Sequence, residues 1–412
     1  MVYCRKGHFF LLLYGGLLAA WLSSYMYSIF EMQVLGFASQ VFLVFLSIVV
    51  LYKKDSILLF LGKKILFFLI ATNFFILLFS LKEVETPWFL ILTVKNVLYV
   101  NASIVIGVAI ADLATRRTGG FEYVVKAATY TLMSFGVFFA YMLLVGGYVI
   151  GGDLLGTDFA ETYQGVSRFF GLIALSAAMT SSVFVSVPAM LVAIYVSFAF
   201  QSFGVFAFLF ACLLVFLVKG NLKKSIGVKT ILVFAFLIFF LYIFYQAFLV
   251  DADFSVGFLN RLEGKLEPAE GEGRLGLFLA AMSYIVEDAA SFLIGPSFYD
   301  YSCALNRCDY RHTHNIFLNL WFYFGVFSLF FSGLLVFIVK ISIAQFVSGK
   351  YVYCAMLFMV FFVVASFGGD IEQNRNLFLF ASAVYCIDKV VRRRESCKRC
   401  VEKPLFLRTR RS

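Results

Sequence analysis

Residues 230–250 form a run of twenty-one side chains without a single charge, and residues 9–30 form another of the same kind. About 20 consecutive apolar residues are what a helix needs to cross the ~30 Å hydrocarbon layer of a bilayer. Such runs recur along the chain and are continuous rather than alternating, which excludes a spanning β-barrel. Composition agrees: 62% of the 412 residues are apolar, 14% are charged, and mean hydropathy is +0.93. A soluble domain carries roughly 45–50% apolar and about 25% charged residues. A water-soluble enzyme, a disordered chain and a secreted disulfide scaffold are thereby excluded. The expectation is an all-α polytopic membrane protein, with apolar sequence enough for about twelve spans.

Basic residues orient these spans. Lys53 and Lys54, Lys63 and Lys64, Arg116 and Arg117, the stretches 219–224 and 340–350, and a tail from Arg392 to Arg411 fall between apolar runs. Clusters of this kind mark cytoplasmic loops. The net charge of +10 thus reads as a topology signal beside anionic lipid. Nucleic acid is not expected as a partner, because no soluble segment offers a folded basic face. Both termini are expected in the cytoplasm. Residues 1–250 form nine spans, 251–314 a large outer loop, 315–391 the last three spans, and 392–412 a basic tail. The stretch 169–218 must cross an odd number of times, and three short spans are expected, with breaks near Ser186–Pro188 and Gln201–Ser202. The last spans are expected at 316–339, 351–367 and 376–391. No internal repeat is present.

The outer loop carries the chemistry. It holds His312 and His314, two of the three histidines, together with Arg261, Arg274, Arg307 and Arg311, while Arg168 and Arg375 lie in other outer loops. The positive-inside bias predicts few basic residues on that face. Arginine offers planar, multidentate donors suited to phosphate, and a neutral histidine beside them suits general-base work near neutral pH. Group transfer from a lipid phosphate or diphosphate follows as a reading; pairing of the arginines with loop acids such as Glu263 and Asp309 is the simpler alternative. Other motifs are weaker. Asp251 and Asp253 form a DxD pair at the outer end of a span, where acids are common. Cys397 and Cys400 are half of a zinc or redox motif without the second half. Lys95 and Asn96 sit inside an apolar run. Cys303 and Cys308 can close a small disulfide loop if that face is oxidising.

Several segments resemble the O-antigen ligase and polymerase superfamily. They are Gly273-Arg274-Leu275 at the head of an amphipathic stretch, Phe292-Leu293-Ile294-Gly295-Pro296, His312-Thr313-His314-Asn315-Ile316-Phe317-Leu318, and Gly325 ten residues after Asn315. Upstream, Arg168-Phe169-Phe170-Gly171-Leu172 is similar to the family's entry to a pair of short spans. The resemblance is specific over 273–328 and weaker over 168–206. It implies transfer of a glycan from undecaprenyl diphosphate to an acceptor hydroxyl, at the outer face of a bacterial inner membrane, with no metal or other cofactor. It further implies His314 as the base and Arg274 as a catalytic cation, with Arg168, Arg311, Asn315 and His312 around the diphosphate. Expected partners are the lipid-linked oligosaccharide, membrane lipid, and a chain-length regulator and flippase of the same pathway.

Two departures refine this expectation. Ser328 stands where the ligase motif has Gly, Thr or Tyr, and Gln201-Ser202-Phe203-Gly204 lacks the arginine that many members carry there. The gap favours a polymerase of lipid-linked repeat units over a ligase that transfers the glycan to lipid A-core; a polysaccharide transporter ranks below both. Of the two histidines, His314 is the expected base. A helix is expected to begin at about Asn315, and its positive N-terminal end disfavours an imidazolium beside it, as does Arg311. The alternative is that His314 merely caps that helix.

Overall fold

The computed structural model describes residues 11–21, 33–53, 73–74, 87–116, 120–145, 162–199, 204–219, 274–304, 315–349, 351–366 and 374–408. Among the described residues the architecture is all-helical, with no strand. In chain order the helices are α1 (Leu11–Trp21), α2 (Gln33–Lys53), α3 (Pro87–Arg116), α4 (Gly120–Val145), α5 (Thr162–Thr180), α6 (Val183–Ala199) and α7 (Gly204–Lys219). There follow α8 (Arg274–Val286), α9 (Ala289–Ile294), α10 (Phe298–Ala304), α11 (Ile316–Phe324), α12 (Ser328–Val347), α13 (Val352–Ser366) and α14 (Arg375–Arg408).

Two stretches are long and apolar enough to cross a membrane: Val94–Arg116 in α3, and Ile316–Val347 through α11 and α12. Several hydroxyls on α3, α4, α12 and α13 are satisfied within their own helix. Thr115 Oγ1 donates to Ala111 O, Thr129 Oγ1 to Val125 O, Ser342 Oγ to Ile338 O and Ser366 Oγ to Phe362 O, each back one turn. That pattern lets a hydroxyl exist where no water can serve it.

The centre of the bundle is a parallel pair, α3 and α14. Gly107 makes it possible: a Cβ there would strike Leu379 O and Ser382 Oγ. Ser382 Oγ in turn donates to Ile104 O at 3.1 Å. Further along, Arg394 Nη1 donates to Thr115 O at 3.0 Å, at the end of α3. A small residue that admits a neighbouring backbone is a common device for helix pairs without a hydrophobic drive. On the other side, Gly171 of α5 admits Val205 and Phe208 of α7. Phe208 meets Phe361 of α13 edge-on, and Phe361 stacks on Phe380 of α14, with centroids 5.8 and 5.7 Å apart.

Three expectations are corrected. The first break in 169–218 falls at Ser181 and Ser182, not near Ser186–Pro188. Ser182 O accepts from both Val185 and Ser186 N–H, so the helix starts there. Pro188 lies six residues into α6, inside the helix, where it removes one backbone bond without ending the helix, as prolines in apolar helices can. Gln201 and Ser202 do fall between α6 and α7. The expected single span 316–339 is instead interrupted at Gly325, whose φ of +55° breaks the helical path, and α12 runs on to Val347. Lys340 therefore belongs to a helix rather than a loop. The basic tail also continues α14 as helix through Arg408.

Candidate functional site

Register places two buried arginines at one depth. The three-residue connection between α3 and α4 makes them antiparallel neighbours. Tyr99 stands seventeen residues before Arg116, and Gly136 sixteen residues after Gly120. At 1.5 Å per residue both lie about 25 Å from that connection. Gly136 faces Phe169, Phe170 and Ile173 of α5, which puts Arg168 at this level. Tyr99 carries the Arg375 guanidinium over its ring, 5.8 Å from the centroid. Arg168 is 8% exposed and Arg375 2%.

Arginine keeps its charge wherever it is placed, and taking that charge out of water costs several kcal/mol before any partner compensates. Arg375 bears a second disfavoured feature. It is the first residue of α14, and a cation at a helix N-terminus opposes the helix dipole. An anion reverses both signs, because the guanidinium and the helix N-terminus then act together. Buried amides surround this end: Asn96 on α3, and Asn374 and Asn376 either side of Arg375. Leu377 N–H donates to Asn374 O, which closes the first turn of α14.

The same end holds the start of α11. Asn315 caps it, with Oδ1 accepting from Phe317 and Leu318 N–H at 2.8 and 3.3 Å. Its Nδ2 donates to Ser366 O at 3.0 Å, which ties the first turn of α11 to the last of α13. Both halves of the amide are thus in structural use. The cap of α11 is Asn315, so capping is not the task of His314. His312, His314, Arg307, Arg311, Asp251, Asp253 and Cys308 lie outside the described residues. Arg274 heads α8, as the amphipathic pattern implies. Cys397 and Cys400 lie on α14, and no group of three metal-binding side chains occurs among the described residues. Lys95 and Asn96 are both on α3.

Arg375, which the sequence marks only as an outer-loop arginine without a role, and Tyr99, which it does not single out, are the residues that the structure adds. The local signal for Arg375 is Asn374-Arg375-Asn376, a polar triplet with a cation directly before an apolar run.

Beside this end, α8, α9 and α10 form an arm against α11. Two glycines with positive φ fit into one another's backbone. A Cβ on Gly295 would strike Trp321 O and Phe322 O, and one on Gly325 would strike Leu293 O. Trp321 Nε1 donates to Phe292 O at 3.2 Å. Behind them Ala281, Ile285, Phe298, Tyr301, Leu318 and Phe322 form a small core of their own. Burial pushes the Tyr301 phenol up to about 12, and its hydroxyl donates to Leu277 O. Asp288 caps α9 by accepting from Ser291 N–H and Oγ, which lowers its pKa. Cys303, on α10, is disulfide-bonded. The motif glycines Gly295 and Gly325 are therefore the two halves of one joint. Compared with protein-family models, curated proteins and solved structures, the chain finds no match.

Proposed function

We propose that the chain is a polytopic inner-membrane polymerase that joins undecaprenyl-diphosphate-linked oligosaccharide units at the outer membrane face. The observation that carries this reading is the placement of Arg168 and Arg375 at one depth, buried, with Arg375 at a helix N-terminus. That arrangement suits a diphosphate and suits little else in an apolar bundle. The disulfide at Cys303 supports an outer, oxidising location for the adjoining arm, and the motifs around Arg274 and His314 supply the reaction class.

His314 takes the acceptor hydroxyl proton as the new C–O bond forms at the anomeric carbon. The bond to the diphosphate oxygen breaks from the opposite face, so configuration inverts. The leaving diphosphate gathers charge, which Arg274, Arg168 and Arg375 meet as pre-organised donors. The family resemblance adds Arg311 and His312 as further diphosphate contacts and implies neither a metal nor a nucleotide sugar.

Blotting the surface polysaccharide of a strain that lacks the chain tests the proposal. A polymerase leaves a single repeat on the lipid core. Bare core with long chains still on undecaprenyl diphosphate points to the ligase alternative, and wild-type polymer discards both.

A further inference from the structure

We infer that the arm of α8, α9 and α10 is a membrane-seated element, with the outward side of α8 and the tip of α9 immersed at the hydrocarbon boundary of the leaflet beside the candidate site. This rests on the reading of α12 as a membrane span, not on the transfer chemistry.

Helix α8 is apolar on two sides. Leu277, Ala281 and Ile285 are buried against the small core, while Phe278, Leu279, Met282 and Val286 are 37–64% exposed. At 100° per residue those four occupy one stripe about 100° wide, and the polar positions that flank it are Ser283 and, in the first turn, Arg274. The Ser283 hydroxyl turns back to Ala280 O. On α9, Phe292, Leu293 and Ile294 are exposed in succession. A contiguous apolar surface of this kind does not face water without a partner.

Three observations identify the partner as lipid. First, the patch is continuous with a lipid-facing surface. The tip of α9 sits on Gly325, and just beyond it Phe327, Leu329 and Phe330 are exposed at the head of α12. The apolar run through α11 and α12 is only 28% buried, against 61% for α3. Second, the level is right. Twenty residues of α12 span about 30 Å, the whole hydrocarbon thickness, so its N-terminal end, where α9 docks, lies at the boundary. Third, Tyr284, Tyr299, Trp321 and Tyr323 gather at this junction, and such amphipathic rings favour the membrane–water interface. The acids Glu287 and Asp288, on the turn before α9, and Asp300, in the first turn of α10, are exposed, where water can reach them. Seated in this way, α8 holds its first residue, Arg274, at the level of lipid phosphates.

The test uses the full chain in phosphatidylethanolamine–phosphatidylglycerol vesicles with radiolabelled acyl chains. The photoreactive residue p-benzoylphenylalanine replaces Met282, Val286 or Leu293 in turn, with Phe330 as the lipid-facing reference and Glu287 as the water-facing one. Lipid crosslinking within about threefold of the Phe330 yield is expected at all three positions, and at least tenfold less at Glu287. Yields as low as that of Glu287, with Phe330 still labelled, overturn the proposal and leave the membrane reading intact. Crosslinks to a second copy of the chain or to another protein also overturn it. Loss of labelling at Phe330 as well removes the membrane reading itself.

Discussion

Arg375 and Arg392 stand seventeen residues apart on one helix and live in different worlds. Arg392 is 69% exposed and pairs with Asp388 one turn away, with Nε and Oδ2 2.7 Å apart. Arg116, on the neighbouring helix and near the same end, pairs with Asp112 in the same way. Arg375 is buried over an aromatic ring at the wrong end of a helix dipole. A cation that marks a surface is cheap and replaceable; one buried at a helix N-terminus is costly to place. The abundance of arginine in this chain therefore says little, and its position says much.

The contrast can be broken most directly by mutation to lysine. Arg168→Lys or Arg375→Lys should reduce polymer formation by on the order of 100-fold at equal protein level, because a point charge does not replace the guanidinium fork. Arg392→Lys should leave the chain-length distribution unchanged, since an exposed pair is worth ~0–1 kcal/mol. Equal responses at the two ends of α14 would dissolve the distinction.

His314 offers an effect of the same order. His314→Ala should abolish transfer with the protein inserted and abundant, while His312→Ala only weakens it. Because Asn315 already caps α11, His314→Asn should fail to restore polymer. Recovery in that variant would end the general-base role.

The packing beneath Arg375 gives a smaller, purely structural effect. Gly107→Ala forces α3 from α14 and should cost roughly 2–3 kcal/mol, read as a lowered Tm in detergent with activity falling in parallel. Gly333, which has open space around it, is the control and should tolerate alanine.

Asn315 separates two contributions near 1 kcal/mol each. Asn315→Ala loses both the cap and the link to Ser366, worth about 2 kcal/mol together. Asn315→Asp keeps the cap and loses the link, so it should cost about half as much. Identical losses would mean that one of the two bonds carries no energy.

The smallest effect is a pH response confined to the arm. The folded pKa of Tyr301 is raised by burial to about 12 from the usual 10.0. Its contribution to docking is whole below pH 10 and fades as pH rises toward 12. Trp321 fluorescence should shift over that window in wild type, and Tyr301→Phe should remove the shift.

The sequence made the large features legible because apolar length and loop charge are one-dimensional signals. The helices α3, α4 and α13 and the start of α11 at Asn315 were readable in that way. Pro188 misled because a proline inside an apolar helix removes one backbone bond without having to end the helix. The interruption at Gly325 was hidden in an unbroken apolar run; only its backbone partner, Leu293, thirty-two residues upstream, gives that glycine its purpose. Arg375 was visible as an anomaly of charge, but its neighbour Tyr99 is 276 residues away, and no local pattern joins them.

That separation has a consequence for how the molecule is made. α3 leaves the ribosome more than 250 residues before α14, yet Gly107 has no other described backbone to receive. Until α14 arrives, the small-residue face of α3 is open, and the layer that carries Arg168 lacks its second arginine. The end of the bundle that holds Arg168 and Arg375 is thus completed only when the last described helix, synthesised more than 250 residues later, packs against α3.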